Sequence, residues 1–201
     1  KDFISLRKFK EKQMVDLAIK YHSQGNIQQA IKYYKFCIEN NINDQRVFCN
    51  YGIILKDAGQ LKNAESVLRK FISINPSSII ALNNLSGILR QLGKLNDAEN
   101  VLKNSLKIEP HNYKSQYNLG CLLIDLKKYK EAELILRKAI SNNLSNSDAY
   151  LNLGITMRNL GELKEALDLL EKAIELKPNS ALALLNIGIV YRKLKNHKLA
   201  I

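Results

Sequence analysis

Alanine stands at every thirty-fourth position along this 201-residue chain, at Ala30, Ala64, Ala98, Ala132, Ala166 and Ala200, with no insertion or deletion between them. A gapless period of this kind marks a stacked repeat, in which each unit buries its apolar face only against its neighbours. Starting each unit nineteen residues before its alanine gives repeats 11–44, 45–78, 79–112, 113–146 and 147–180, with a truncated sixth at 181–201. One repeat domain over residues 11–201 is expected. Residues 1–10 stand ahead of it as a helical extension covering the open end of the first repeat, with a basic tail as the alternative; Phe3, Leu6, Phe9 and Met14 favour the helix.

Each unit reads as two helices. The seventh place is large and mostly aliphatic (Leu17, Tyr51, Leu85, Leu119, Leu153, Ile187) and the eighth is always small (Ala18, Gly52, Ser86, Gly120, Gly154, Gly188), so two helices can approach closely there. The fifteenth place is Gly25, Gly59, Gly93 and Gly161, with Lys127 and Lys195 as exceptions. Glycine there ends a helix in the left-handed conformation. The last place holds Asp44, Ser78, Asn112, Asn146 and Ser180, side chains that cap the N-terminus of the next helix. Pro76, Pro110 and Pro178, two places earlier, stop the helix before it.

A 34-residue helix-turn-helix unit with apolar, Leu-Gly, alanine and proline marks at these offsets resembles the tetratricopeptide repeat (TPR), over residues 11–201. The resemblance implies an all-α, right-handed superhelical solenoid of five complete repeats and a truncated sixth. Departures are local. The family's tryptophan at the fourth place is replaced by Met14, Phe48, Leu82, Gln116, Tyr150 and Leu184, and Ile42 and Leu144 replace the proline. Gln116 makes the fourth repeat the least regular. Phe71 takes a place that is Cys37, Ser105, Ala139 or Ala173 elsewhere. It is expected either to force the second and third repeats apart or to find a pocket.

Charged residues make up 25% of the chain and hydrophobic ones 46%, the balance of a soluble protein, and no apolar run reaches the roughly 18 residues of a membrane span. No secretory leader is legible, and the missing initiator methionine points to a fragment. Three scattered cysteines, Cys37, Cys49 and Cys121, indicate neither a disulfide framework nor a zinc site and fit a reducing, cytoplasmic setting. Cys37 is expected in the core, whereas Cys49 and Cys121 fall on the inner face as accessible thiols. His22, His111 and His197 occupy unrelated places. With no phosphate loop, nucleophile elbow or metal-binding helix, and with carboxylates spread over solvent-facing places, the segment is expected to be non-catalytic and free of cofactors and metals. Leu182, Leu184, Leu185, Ile187, Ile189 and Val190 crowd the last helix and call for further protein to cover them, so a downstream catalytic domain is an alternative.

Function must come from the face that stacking leaves open. At 100° per residue, places four, seven, eight and eleven of the first helix form the packed arc, and places two, five, six, nine, twelve and thirteen form the opposite one. In a TPR stack that second arc lines the concave groove. Its sixth place reads Asp16, Asn50, Asn84, Asn118, Asn152 and Asn186. An amide offers both a donor and an acceptor to a passing peptide backbone, whatever its side chains. The row is similar to the asparagine ladder in the TPR arm of O-linked N-acetylglucosamine transferase, which holds extended protein substrate. Beside it run an apolar strip (Ile53, Cys121, Ile155 and Ile189, extended by Tyr117, Leu151 and Leu185) and a cationic rail (Lys56, Arg90, Arg158 and Arg192). The expected partner is an extended protein segment with apolar and acidic side chains. The family's carboxylate clamp, which needs lysine and arginine, is missing where Val15, Cys49, Asn83 and the asparagines stand.

Two alternatives accompany this reading. The net charge of +12 admits RNA or DNA, although cations such as Lys35, Arg69, Lys70, Lys103, Arg137, Lys138 and Lys172 read as solvated helix-end charge and Tyr117 is the groove's sole aromatic. The phrases VFCNYGIILKDAGQLKNAE and YLNLGITMRNLGELKEAL also resemble bacterial TPR arms joined to glycosyltransferase-like or sulfotransferase-like domains, which makes the chain a substrate-recruiting arm.

Overall fold

A computed structural model describes residues 2–199, with side chains described for residues 7–195; Ala200, the side chains of Phe3 and Leu6, and that of His197 lie outside the described residues. Contacts divide the chain into two compact units, 1–101 and 102–201. The first contains α1 (Asp2–Ser23), α2 (Ile27–Glu39), α3 (Gln45–Asp57), α4 (Leu61–Ile74) and α5 (Ile79–Gln91). The division falls within α6 (Leu95–Ile108). The second unit continues with α7 (Tyr113–Asp125), α8 (Tyr129–Asn142), α9 (Ser147–Leu160), α10 (Leu163–Leu176) and α11 (Ala181–Leu199). No strand occurs among the described residues, and the fold is an all-α solenoid of helix-turn-helix repeats.

The turns inside the repeats follow from one backbone device. In repeat 1 the Asn26 N–H donates to the Tyr21 carbonyl (2.9 Å) and the Gly25 N–H to the His22 carbonyl (3.0 Å). This paired bonding, around a left-handed residue, satisfies carbonyls that a helix end would otherwise leave open. Repeat 2 repeats it with Gln60 to Leu55 (2.8 Å) and Gly59 to Lys56 (2.9 Å). Lys127 makes the same turn without glycine: its φ is +58°, and Lys128 and Lys127 donate to Leu123 (2.8 Å) and Ile124 (2.9 Å). Packing of α8 on α7 thus overrides a local preference that costs a side-chain-bearing residue about 1–2 kcal/mol. Lys127→Gly is therefore expected to raise stability by about 1 kcal/mol, read as a higher urea midpoint at unchanged slope. At Lys195 no turn forms and α11 runs on to Leu199, so the second helix expected for the sixth repeat is replaced by continuous helix.

The caps close the other ends. Asp44, Ser78, Asn112, Asn146 and Ser180 accept from the backbone N–H groups of Arg46, Ala81, Ser115, Ala149 and Ala183 at 2.8–3.3 Å. Where Ile42 replaces proline, Asn41 supplies the stop instead, at φ +55°, with the Ile42 N–H on the Cys37 carbonyl.

Packing within each unit is set by three repeated places. The alanines Ala30, Ala64, Ala98, Ala132 and Ala166 have no exposed surface, and four places on stand the fully buried Tyr34, Leu68, Leu102, Leu136 and Leu170. Those leucines fill the space that the small eighth place leaves. A Cβ on Gly120 would sit 2.5 Å from Leu136 Cγ, and one on Gly154 would sit 2.8 Å from Leu170 Cγ. Phe71 finds a pocket: it is buried, with its ring 5.1 Å from that of Phe48, which fills the tryptophan place of the same repeat.

Irregular residues compensate one another. Gln116 is buried, donates to the Pro110 carbonyl (2.8 Å) and accepts from Asn142 (3.0 Å), while Ser105 and Ser115 share a 2.7 Å bond in the core. The carboxylates are not all solvent-facing as the sequence reading had them. Glu65 and Glu99 are buried, and Glu65 accepts from Lys94 (2.8 Å) and Arg69 (3.0 Å). The Lys94 hydrogen bond, with Arg69 behind it, outweighs burial and holds the Glu65 carboxyl below the usual carboxylate range. Several of the cations read as solvated helix-end charge are likewise engaged: Arg69 as described, Arg137 with Glu133 (2.9 Å) and Glu165 (2.6 Å), and Lys172 with Glu175 (2.5 Å).

Candidate functional site

The first helix of each repeat exposes its second and thirteenth places; its ninth place is half-buried at Ile19, Ile53, Ile155 and Ile189, exposed at Gly87 and buried at Cys121, and its fifth place, expected on the open arc, is buried at Val15, Cys49 and Leu151. In the first unit the open arc carries Asn50, Ile53, Lys56, Asn84 and Arg90 on α3 and α5. In the second it carries Tyr117, Asn118, Asn152, Ile155, Arg158, Asn186, Ile189 and Arg192 on α7, α9 and α11. Asn50, Asn84, Asn118 and Asn152 are half-buried, as are Ile53, Ile155, Ile189, Tyr117, Lys56 and Arg158; Arg90 and Arg192 are exposed.

The amides are engaged with their own protein. Asn50 donates through Nδ2 to Tyr34 Oη (3.3 Å), which also bonds His22 Nδ1 (3.1 Å). Asn84 hydrogen-bonds the Cys49 thiol of the preceding repeat. Asn152 donates to Tyr117 Oη (3.3 Å) and Cys121 Sγ (3.4 Å). Asn186 is buried, donates to the Leu182 carbonyl (2.7 Å) and accepts from Arg158. These bonds tie first helices to the repeat before them, which gives the sixth place a structural duty.

That duty leaves capacity at two rungs. The bonds of Asn50 and Asn152 use only their nitrogens, and among the described residues no buried side-chain nitrogen or oxygen lacks a partner. The side-chain oxygens of Asn50 and Asn152, which accept nothing, therefore reach the surface. Each is an acceptor whose orientation is set from behind, through its own nitrogen.

The cysteines differ from expectation. Cys49 and Cys121 are 4% and 7% exposed, hence not accessible thiols. Burial pushes the Cys49 thiol up to about 11, against the opposing bond from Asn84. Tyr117 and Asn152 close over Cys121, so the apolar strip of the second unit consists of Tyr117, Ile155, Ile189 and the exposed Leu185. Burial is also the main cause raising the Tyr117 hydroxyl well above the usual phenol range, so it stays a neutral partner for Asn152.

Tyr34 was not singled out from the sequence, although it orients Asn50. The signal was present: a phenol stands at a core place that is leucine in the four repeats after it. Among the described residues no three His, Cys, Asp or Glu side chains gather as metal ligands, and no helix is long and apolar enough to cross a membrane.

Three stretches match sequence models of one kind of repeat. Residues 45–78 and 89–154 match models described as tetratricopeptide repeat, and residues 157–195 match one described as TPR repeat. Among curated proteins no sequence matches. Solved structures share the fold. The crystal structure of MamA protein is 22% identical, with a TM-score of 0.72 over 85% of this chain and 93% of that one. YrrB, described as a TPR protein with an unusual peptide-binding site, is 24% identical, with a TM-score of 0.65 over 81% and 84%. PilF of Pseudomonas aeruginosa is 18% identical, with a TM-score of 0.81 over 96% and 87%.

Proposed function

The chain is a tetratricopeptide repeat protein, and on that premise we propose that it is a non-catalytic interaction scaffold whose first-helix faces bind an extended protein segment. The carrying observation is the pair of oriented, surface-reaching amide oxygens at Asn50 and Asn152, each beside a half-buried isoleucine, Ile53 or Ile155. Such an oxygen accepts a backbone N–H without regard to the side chain beside it. The isoleucine one helical turn on supplies apolar contact. Lys56 and Arg158, one turn further, favour acidic side chains in the bound segment.

Magnitudes make this a transient binder. A hydrogen bond nets about 0.5–1.5 kcal/mol against an association cost of about 4–15 kcal/mol, so affinity depends on apolar contact at Ile155 and Leu185. The nucleic-acid reading loses ground because Arg69 and Arg137 are already paired with carboxylates within the protein. The peptide-binding site named for YrrB is consistent with the proposal.

Panning a library of random peptides on the full chain tests it. Selected peptides should be rich in apolar and acidic residues and should bind Ile155→Asp at least roughly tenfold more weakly, a loss of about 1.4 kcal/mol. Asn152→Ala should weaken them by about 0.5–1.5 kcal/mol. Selected peptides that bind both variants as tightly as the parent would remove this face from the function.

A further inference from the structure

A second surface lies at the start of the first unit, on α1 and α2. There α1 and α2 enclose a groove of about 660 Å³ lined by Arg7, Lys10, Glu11, Met14, Phe36 and Ile42, among others. Two smaller clefts join it at Met14, one of them shared with Phe36 and flanked by Lys32 and Lys35. Phe36 is 45% exposed on a helix whose opposite face is fully packed.

The protein's own interfaces indicate what fits. α3, α5, α9 and α11 each have the preceding helix packed against them, α2, α4, α8 and α10 respectively. Among the described residues no such helix packs on α1, so its groove continues a stacking interface used elsewhere in the chain. The ordinary covering helix connects through a short loop, 40–44 between α2 and α3. In the first repeat that loop would have to join at Glu11, the place equivalent to Gln45. Instead α1 is unbroken there and has already run nine residues from Asp2, about 13 Å at 1.5 Å per residue. That continuity excludes a cover arriving by the standard short connection at Glu11.

Charge selects the partner. Lys10, Lys20, Lys32 and Lys35 surround the groove and its two clefts, whereas of the nearby acids Glu11 is paired with Arg7 (2.9 Å) and Asp16 lies 3.6 Å from Arg46. Glu39 is the remaining acid on the rim. A second copy of this chain is a poor occupant, because its own open helix, α11, carries Arg192, Lys193 and Lys195 and the whole chain is at +12. A concave groove also suits a helix better than a flat bilayer. We infer that this groove docks an acidic amphipathic helix of another protein, with apolar residues on Met14 and Phe36 and carboxylates against Lys10 and Lys35.

The probe is a labelled peptide of residues 163–176, titrated into the full chain by fluorescence anisotropy. This sequence covers α11 in the second unit and carries Glu165, Asp168, Glu171 and Glu175 against Lys164 and Lys172. A peptide of residues 61–74, of the same helix type but basic, is the control, and phosphatidylserine vesicles are a third arm. The 163–176 peptide should bind saturably, lose roughly tenfold or more in affinity with Phe36→Asp and with Lys35→Glu, and bind Ile155→Asp unchanged. Both substituted groove residues are exposed, so each variant keeps its fold. The inference is overturned by absence of saturable binding, by equal binding of the basic peptide, by insensitivity to both groove substitutions, or by adsorption to the vesicles in place of the peptide. Loss with Ile155→Asp alone would also overturn it, by assigning the peptide to the first-helix face.

Discussion

Phe71→Ala is expected to lower the unfolding free energy by about 3–5 kcal/mol, more than any other single change considered for this protein. The ring is almost completely buried and packs on Phe48 with centroids 5.1 Å apart. Truncation removes the transfer free energy of the ring and leaves a cavity that α3 and α4 cannot close, because Ala64 and Gly52 already hold them at close approach. Stability in a repeat array is roughly a sum of unit and interface terms. The loss should therefore appear as early unfolding in the first unit, read by urea titration with hydrogen exchange on α3 and α4. A midpoint within error of the parent would show that Phe71 displaces its neighbours as much as it supports them.

The second large effect concerns Gly120 and Leu136. Leu136→Ala should cost about 2–5 kcal/mol, as its side chain has no exposed surface and fills the space above a glycine. Gly120→Ala should cost about 1–3 kcal/mol, because its Cβ would meet Leu136 Cγ and Cδ2 at 2.5 Å. The two changes are coupled. Once Leu136 is alanine the added methyl enters vacated space, so the double variant should be more stable than the sum of the singles by about 0.5–3 kcal/mol. Gly188→Ala is the control: nothing lies within 4 Å of its Cβ, and helix propensity alone predicts a gain of up to about 1 kcal/mol. Strict additivity would mean that the eighth place is small for a reason other than contact with this leucine.

Much of the fold was legible in the chain because its determinants are local and recur. A capping side chain acts on an N–H two or three residues away, and a glycine turn closes within six residues, so Ser78 and Gly93 declare their roles wherever they stand. The exceptions have the same physical explanation in reverse. Lys127 turns left-handed although nothing local favours it, since α8 must fold back on α7; Lys195, at the equivalent place, stays within α11.

The candidate site was legible as a face but not as chemistry. Periodicity identified which residues lie on the open arc. It could not show that Asn50 is bonded to a tyrosine sixteen residues earlier, or Asn152 to a cysteine thirty-one residues earlier. Nor could it show that Cys49 and Cys121 sink beneath their neighbours while the oxygens of Asn50 and Asn152 stay at the surface.

From the amino-acid order alone came the period, the paired helices, the caps and the small places that admit a leucine, because each depends on backbone preferences within one repeat. Only stacking decided how each side chain spends its hydrogen bonds, where Phe71 rests, and that a basic groove opens beside Met14 and Phe36. Those outcomes depend on contacts between different helices, within a repeat as at Phe48 and Phe71 or across repeats as at Tyr34 and Asn50, and identical register at a place does not make its neighbours identical.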